Sequence, residues 1–104
     1  MSSRRVAGVV PQGHDEEIKY VFDFRKLAEN LGAPTSAGAC ALYDLTADED
    51  VSVTLLSGSA SASGNLVTSR IVSNLTIGHR YQLNQAANFA DGVFSGYLLI
   101  DAER

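Results

Sequence analysis

The segment Gly92-Val93-Phe94-Ser95-Gly96-Tyr97-Leu98-Leu99-Ile100-Asp101 places Phe94, Leu98 and Ile100 on one side of an extended chain and Val93, Tyr97 and Leu99 on the other. Successive side chains of a strand point to opposite faces, so this segment predicts a strand that is apolar on both. In Glu-Glu-Ile-Lys-Tyr-Val-Phe-Asp-Phe, residues 16–24, the side chains Ile18, Tyr20, Phe22 and Phe24 share a face opposite Glu17, Lys19 and Asp23, which is the pattern of a half-buried strand. Further strands are expected over ACALYDLT and VSVTLLS, which are separated by the acidic turn ADED, with Val51, Val53 and Leu55 of the second on one face. GSASASGN reads as a flexible hairpin tip, and LVTSRIVS, rich in β-branched residues, as one more strand. Residues 25–30 have room for one helical turn before Gly32 and Pro34 close it, and no long amphipathic helix or internal repeat is present. Short strands joined by turns predict an all-β protein, an antiparallel β-sandwich.

At 104 residues the chain makes one domain, which removes roughly 65% of its extended-chain surface from water. Residues 1–15 mix small, charged and turn-forming types and read as an extended N-terminal arm, with the domain proper over 16–104. On this reading the core begins at Ile18, and losing the arm leaves the domain folded. The arm's Arg4 and Arg5 would face an acidic partner surface, while Val6, Val9 and Val10 would add a strand to a partner's sheet edge. On the last strand, Val93, Tyr97 and Leu99 are the candidates for a covered face, with the loop NQAANFADG as the alternative cover.

Function classes are narrowed by charge and by missing motifs. Eight Lys and Arg residues in a chain of formal charge −4 supply no basic patch for a nucleic-acid backbone. No apolar run approaches the ~20 residues of a membrane helix, and residues 6–10 are too short for a signal-peptide core; a soluble chain made in the cytoplasm is expected. Cys40 is the single cysteine, so it reads as a small core residue and not as part of a disulfide or thiolate cluster. His14 and His79 read as solvated surface residues, and no serine lies in a nucleophile elbow. Asp44, Asp48, Glu49 and Asp50 are the one group with oxygens enough for a hard cation, but they lack the spacing and glycine of a calcium loop, and a solvated acidic turn is favoured. No catalytic residue and no cofactor is assigned.

In Leu75-Thr76-Ile77-Gly78-His79-Arg80-Tyr81-Gln82-Leu83, the residues Leu75, Gly78, Tyr81 and Leu83 resemble the Leu-x-x-Gly-x-x-Tyr-x-apolar corner of fibronectin type III and related immunoglobulin-like domains. The resemblance implies that Leu75 plugs the core, Gly78 takes a positive φ, the Tyr81 hydroxyl returns to the backbone upstream, and Leu83 sits where antibody domains carry their second disulfide cysteine. The texture of the whole chain, an arm followed by YVFDF, LYDLTADEDVSVTLLSGSASASG, LVTSRIVSNLTIGHRYQL and a short last strand, is similar to small immunoglobulin-like virion proteins of tailed bacteriophages. That resemblance implies a non-enzymatic structural protein of the virion that decorates or cements the capsid. Its partners would be major capsid or neck proteins and further copies of itself, with no nucleic acid and no membrane. A head-tail connector or tail accessory role, or an adhesive or carbohydrate-binding sandwich displaying Phe89 and Tyr43, are the alternatives.

Overall fold

The computed structural model describes residues 6–104. In chain order the elements are β1 (Val6–Gly13), β2 (Val21–Asp23), α1 (Arg25–Leu31), β3 (Ser36–Asp44), β4 (Glu49–Asp50), α2 (Ser52–Leu55), β5 (Leu56–Ser57), β6 (Ser61–Ser63), β7 (Leu66–Thr68), β8 (Ile71–Val72), β9 (Arg80–Phe89) and β10 (Gly92–Glu103). A five-stranded sheet runs in the order β1-β10-β9-β3-β4, a three-stranded sheet in the order β2-β7-β6, and β5 pairs with β8. The protein is thus mostly β, with its sheets packed into one globule.

Alternation decides which side chains meet inside. Leu42, Tyr81, Leu83, Ala87, Leu98 and Ile100 project from the large sheet, and Phe22 and Val67 from the small one, into a single buried cluster that Phe24, Leu56, Val72, Leu75 and Phe89 complete. Phe89 stands edge-on to Phe24 and Phe94, with ring centroids 6.0 and 5.5 Å apart. Edge-to-face rings align the positive edge of one with the negative face of the other.

Several expectations are corrected here. Residues 6–13 are not an arm but the edge strand β1, paired parallel to β10 with Val9 opposite Leu99 and Val10 opposite Ile100. Val10 packs against the core and Gln12 is fully buried. The Gln12 amide takes a hydrogen bond from the Tyr20 hydroxyl at 2.6 Å and donates to the Val72 and Glu16 carbonyls at 2.8 and 3.1 Å. Burial, with the Glu16 charge second, pushes Tyr20 up to about 12, so the hydroxyl keeps the proton it donates. Arg4 and Arg5 lie outside the described residues.

VSVTLLS is helical over Ser52–Leu55, and only its last two residues, Leu56–Ser57, form a strand, β5. The Asp50 carboxylate accepts from the Ser52 amide at 2.9 Å and Ser52 Oγ meets both the Leu42 amide and carbonyl, which turns the chain into α2 and leaves Val53 96% exposed. LVTSRIVS is two strands, interrupted where buried Ser69 takes a hydrogen bond from the Tyr20 amide and gives one to the Arg70 carbonyl. The serine-rich segment is partly strand: β6 and β7 flank the two-residue turn Gly64-Asn65, whose glycine has φ 60° as a type II′ hairpin favours. NQAANF is not a loop either, because β9 runs on to Phe89 and meets β10 through Ala90 and Asp91 alone. Phe89 is therefore 6% exposed and unavailable as a displayed aromatic.

The register of β3 against β9 shifts between Ala37 and Cys40. A side chain at Gly38 would bring its Cβ to 2.8 Å from Ala86 Cβ, so only glycine lets the two backbones approach there. Gln85 braces the irregular stretch, donating from Nε2 to the Gly38 and Ala86 carbonyls.

Candidate functional site

At one end of the five-stranded sheet the turn before β9 is tied down on three sides. Tyr81 is fully buried, and its hydroxyl accepts a hydrogen bond from the Thr76 amide, five residues upstream, at 2.8 Å. Gly78 has φ 87° and donates from its amide to the Ala102 carbonyl, while Leu75 and Leu83 lie in the core. Replacing Tyr81 with Phe removes the acceptor but keeps the ring. We expect a loss of about 1–2 kcal/mol, the cost of leaving the Thr76 amide without its partner. Denaturant titration measures it, and an unchanged midpoint would strip the hydroxyl of this role.

His79 is not simply solvated. Its Nδ1 lies 2.8 Å from Oδ2 of Asp44, which is 4% exposed, and its ring stacks on Tyr81 at 6.3 Å. The other Asp44 oxygen accepts from the Thr46 and Ala47 amides at 3.0 and 2.9 Å. Burial pushes the Asp44 carboxyl up, but the hydrogen bond and charge of His79 and the two amides outweigh it, and the net direction is down. A carboxylate below its ordinary value stabilises the fold above the unfolded value of about 4 and loses that contribution as pH falls through the folded one. Asn in place of Asp44 keeps an oxygen for both amides. Comparing melting temperatures from pH 6 to pH 2 should therefore show a steeper acid decline in the parent protein than in Asp44→Asn, and parallel curves would contradict this assignment.

The same contacts account for the acidic turn. Asp44 is engaged by His79 and backbone amides, Asp48 accepts from the Tyr43 hydroxyl, Asp50 accepts from the Ser52 amide, and Glu49 is exposed. Among the described residues no three His, Cys, Asp or Glu side chains come together as metal ligands. Cys40 is half-buried; burial pushes its thiol up by more than the Arg70 amide and charge pull it down, which disfavours the nucleophilic thiolate.

The five-stranded sheet turns one face away from the buried cluster. β10 presents Val93, Ser95, Tyr97, Leu99 and Asp101 there, in register with Asn88, Ala86, Asn84, Gln82 and Arg80 of β9. Ala41 and Tyr43 continue two of these rows on β3, and on β1 Val9 lies beside Leu99 and Pro11 beside Asp101. Val9 is 51% and Val93 66% exposed, whereas Tyr97 and Leu99 are half-buried among their neighbours and Val10 points the other way. On β9 and β10 the only charges of this face are Arg80 and Asp101, paired through two hydrogen bonds of 2.6 and 3.0 Å. Gln82 donates to Asn84 at 2.9 Å, so part of the amide hydrogen bonding is satisfied within the face. The alternation of β10 makes the apolar half of this face readable from sequence. The pairing of Asp44 with His79 is not, since nothing local links residues so far apart.

No protein-family model, curated protein or solved structure matches this chain.

Proposed function

We propose that the protein is an immunoglobulin-like β-sandwich with a non-enzymatic, structural role in a tailed-bacteriophage virion, decorating or cementing the capsid through protein-protein contacts. The observation that carries this reading is the outer face of the five-stranded sheet: among the described residues it is uncharged across its middle, with Val9 and Val93 exposed and the Arg80–Asp101 ion pair at an end. Interfaces have this anatomy, with charge depleted at the centre and kept at the rim.

The immunoglobulin-like assignment draws support from the order β1-β10-β9-β3-β4 set against β2-β7-β6, with the buried tyrosine near the start of the penultimate strand bonded to backbone upstream. A structural role also fits the chemistry, because His79, Asp44, Asp48 and Asp50 are all occupied in holding turns. The test is quantitative mass spectrometry of purified particles from the source. A copy number close to that of the shell lattice is expected; one small ring per particle would move the protein to the neck or tail. Absence from particles would overturn the virion reading and favour an adhesive module.

A further inference from the structure

The geometry points to a second copy of this chain as the first occupant of the outer sheet face, packed about a two-fold axis that runs along the β9–β10 hairpin. This inference rests on the reading of that face as an interface. Its two central columns differ in kind. β10 offers Val93, Tyr97 and Leu99, and β9 offers Asn88, Ala86, Asn84 and Gln82, with Arg80 and Asp101 facing each other at one end. An axis parallel to the strands and midway between them lays β10 of one copy over β9 of the next. Leu99 then covers the aliphatic stem of Gln82.

Charge makes the arrangement self-complementary. The same operation sets Arg80 across from Asp101 of the partner subunit and Asp101 across from Arg80 of the partner subunit. The two internal pairs, each Nε to Oδ1 at 2.6 Å, close into one ring of four alternating charges. Elsewhere the surface of a chain of formal charge −4 would repel its own copy, notably at Asp48, Glu49 and Asp50 on the sheet's far edge. Area is sufficient: strands at their usual spacing and rise make the β1, β10, β9 and β3 face roughly 30 by 20 Å in projection. Side-chain relief brings that toward the roughly 800 Å² per partner of a standard interface, about a seventh of the 5869 Å² the domain exposes.

Sedimentation velocity at about 0.1 mM and low salt tests the proposal. The parent protein should sediment at twice 11.1 kDa. Arg80→Asp and Asp101→Arg each place like charges across the axis and should each sediment as single chains, the association weakened by at least about tenfold. Mixed in equal amounts, the two variants should regain the dimer, because only the mixed pair is complementary. Circular dichroism melts establish that each variant is folded. Should one of them fail to melt cooperatively, Leu99→Glu replaces it, with loss of the dimer as the expected result.

A parent protein that stays a single chain, or variants that dimerise as it does, would overturn the inference. So would a mixture that fails to associate. A single-chain protein still found on particles would remove only the two-fold pairing, and a charge-dependent dimer absent from particles would remove only the virion reading.

Discussion

Removal of residues 1–13 is expected to abolish cooperative thermal unfolding. β1 holds the outer edge of β10 through a parallel ladder and places Val10 against the core and Gln12 wholly inside it. Without it the Tyr20 hydroxyl loses its acceptor on the Gln12 amide, at about 1–3 kcal/mol for a group left unpaired, and the Val72 carbonyl keeps only the Ile18 amide. Ile100 and Ala102, buried beneath the strand, would meet water as well. Together these losses approach the roughly 5–15 kcal/mol that holds a small domain folded. Circular dichroism during heating gives the answer. A truncated chain that still melts sharply, within about 5 °C of the full-length protein, would return the segment to the status of a dispensable arm.

Leu83→Ala is expected to cost about 3 kcal/mol. Leu83 is fully buried in the middle of β9, between Leu42 on β3 and Leu98 on β10, both themselves buried. Shortening it deletes buried methylenes and leaves a cavity that three hydrogen-bonded strands cannot collapse to fill, which puts the loss in the usual range of about 2–5 kcal/mol. For a domain of this length that corresponds to roughly 12–24 °C in melting temperature. Calorimetry on the variant reads it directly. A drop of only a few degrees would mean that the sheet relaxes around the gap and that Leu83 is not at the centre of the packing.

What could be read from the sequence follows from where each element finds its partners. β10 is legible because alternation is written residue by residue and one face is buried, while the alternation of residues 16–24 gives the buried face of Phe22 and Phe24 but only Val21–Asp23 pairs as a strand. Tyr81 and Leu83 stand out for the same reason, with Gly78 marking the turn before them. The apolar spacing of VSVTLLS suits a strand equally well, and Ser52 diverts it by bonding to Leu42, which local pattern does not reveal. NQAANF resembles a loop because five of its six residues are Asn, Gln or Ala with no β-branched residue among them, yet Gln85, Ala87 and Phe89 are buried, and Gly38 lets β3 approach Ala86 closely. β1 was hidden by distance: its hydrogen bonds are made almost entirely at the opposite end of the chain. The Asp44–His79 pair was illegible for that reason too, since each residue on its own has the features of an ordinary surface turn.

The parallel seating of β1 on β10 also sets an order of events during synthesis. Val9 leaves the ribosome well before Leu99, its neighbour on the strand that will hold it. Until β10 emerges, β1 has no native strand to pair with. Docking must close the long stretch between β1 and β10 into a loop, an entropic cost that slows folding. In the interval β10's edge and β1 are both available to another nascent copy, so rapid production from closely spaced ribosomes should favour exchanged first strands, and slower production should favour self-contained domains.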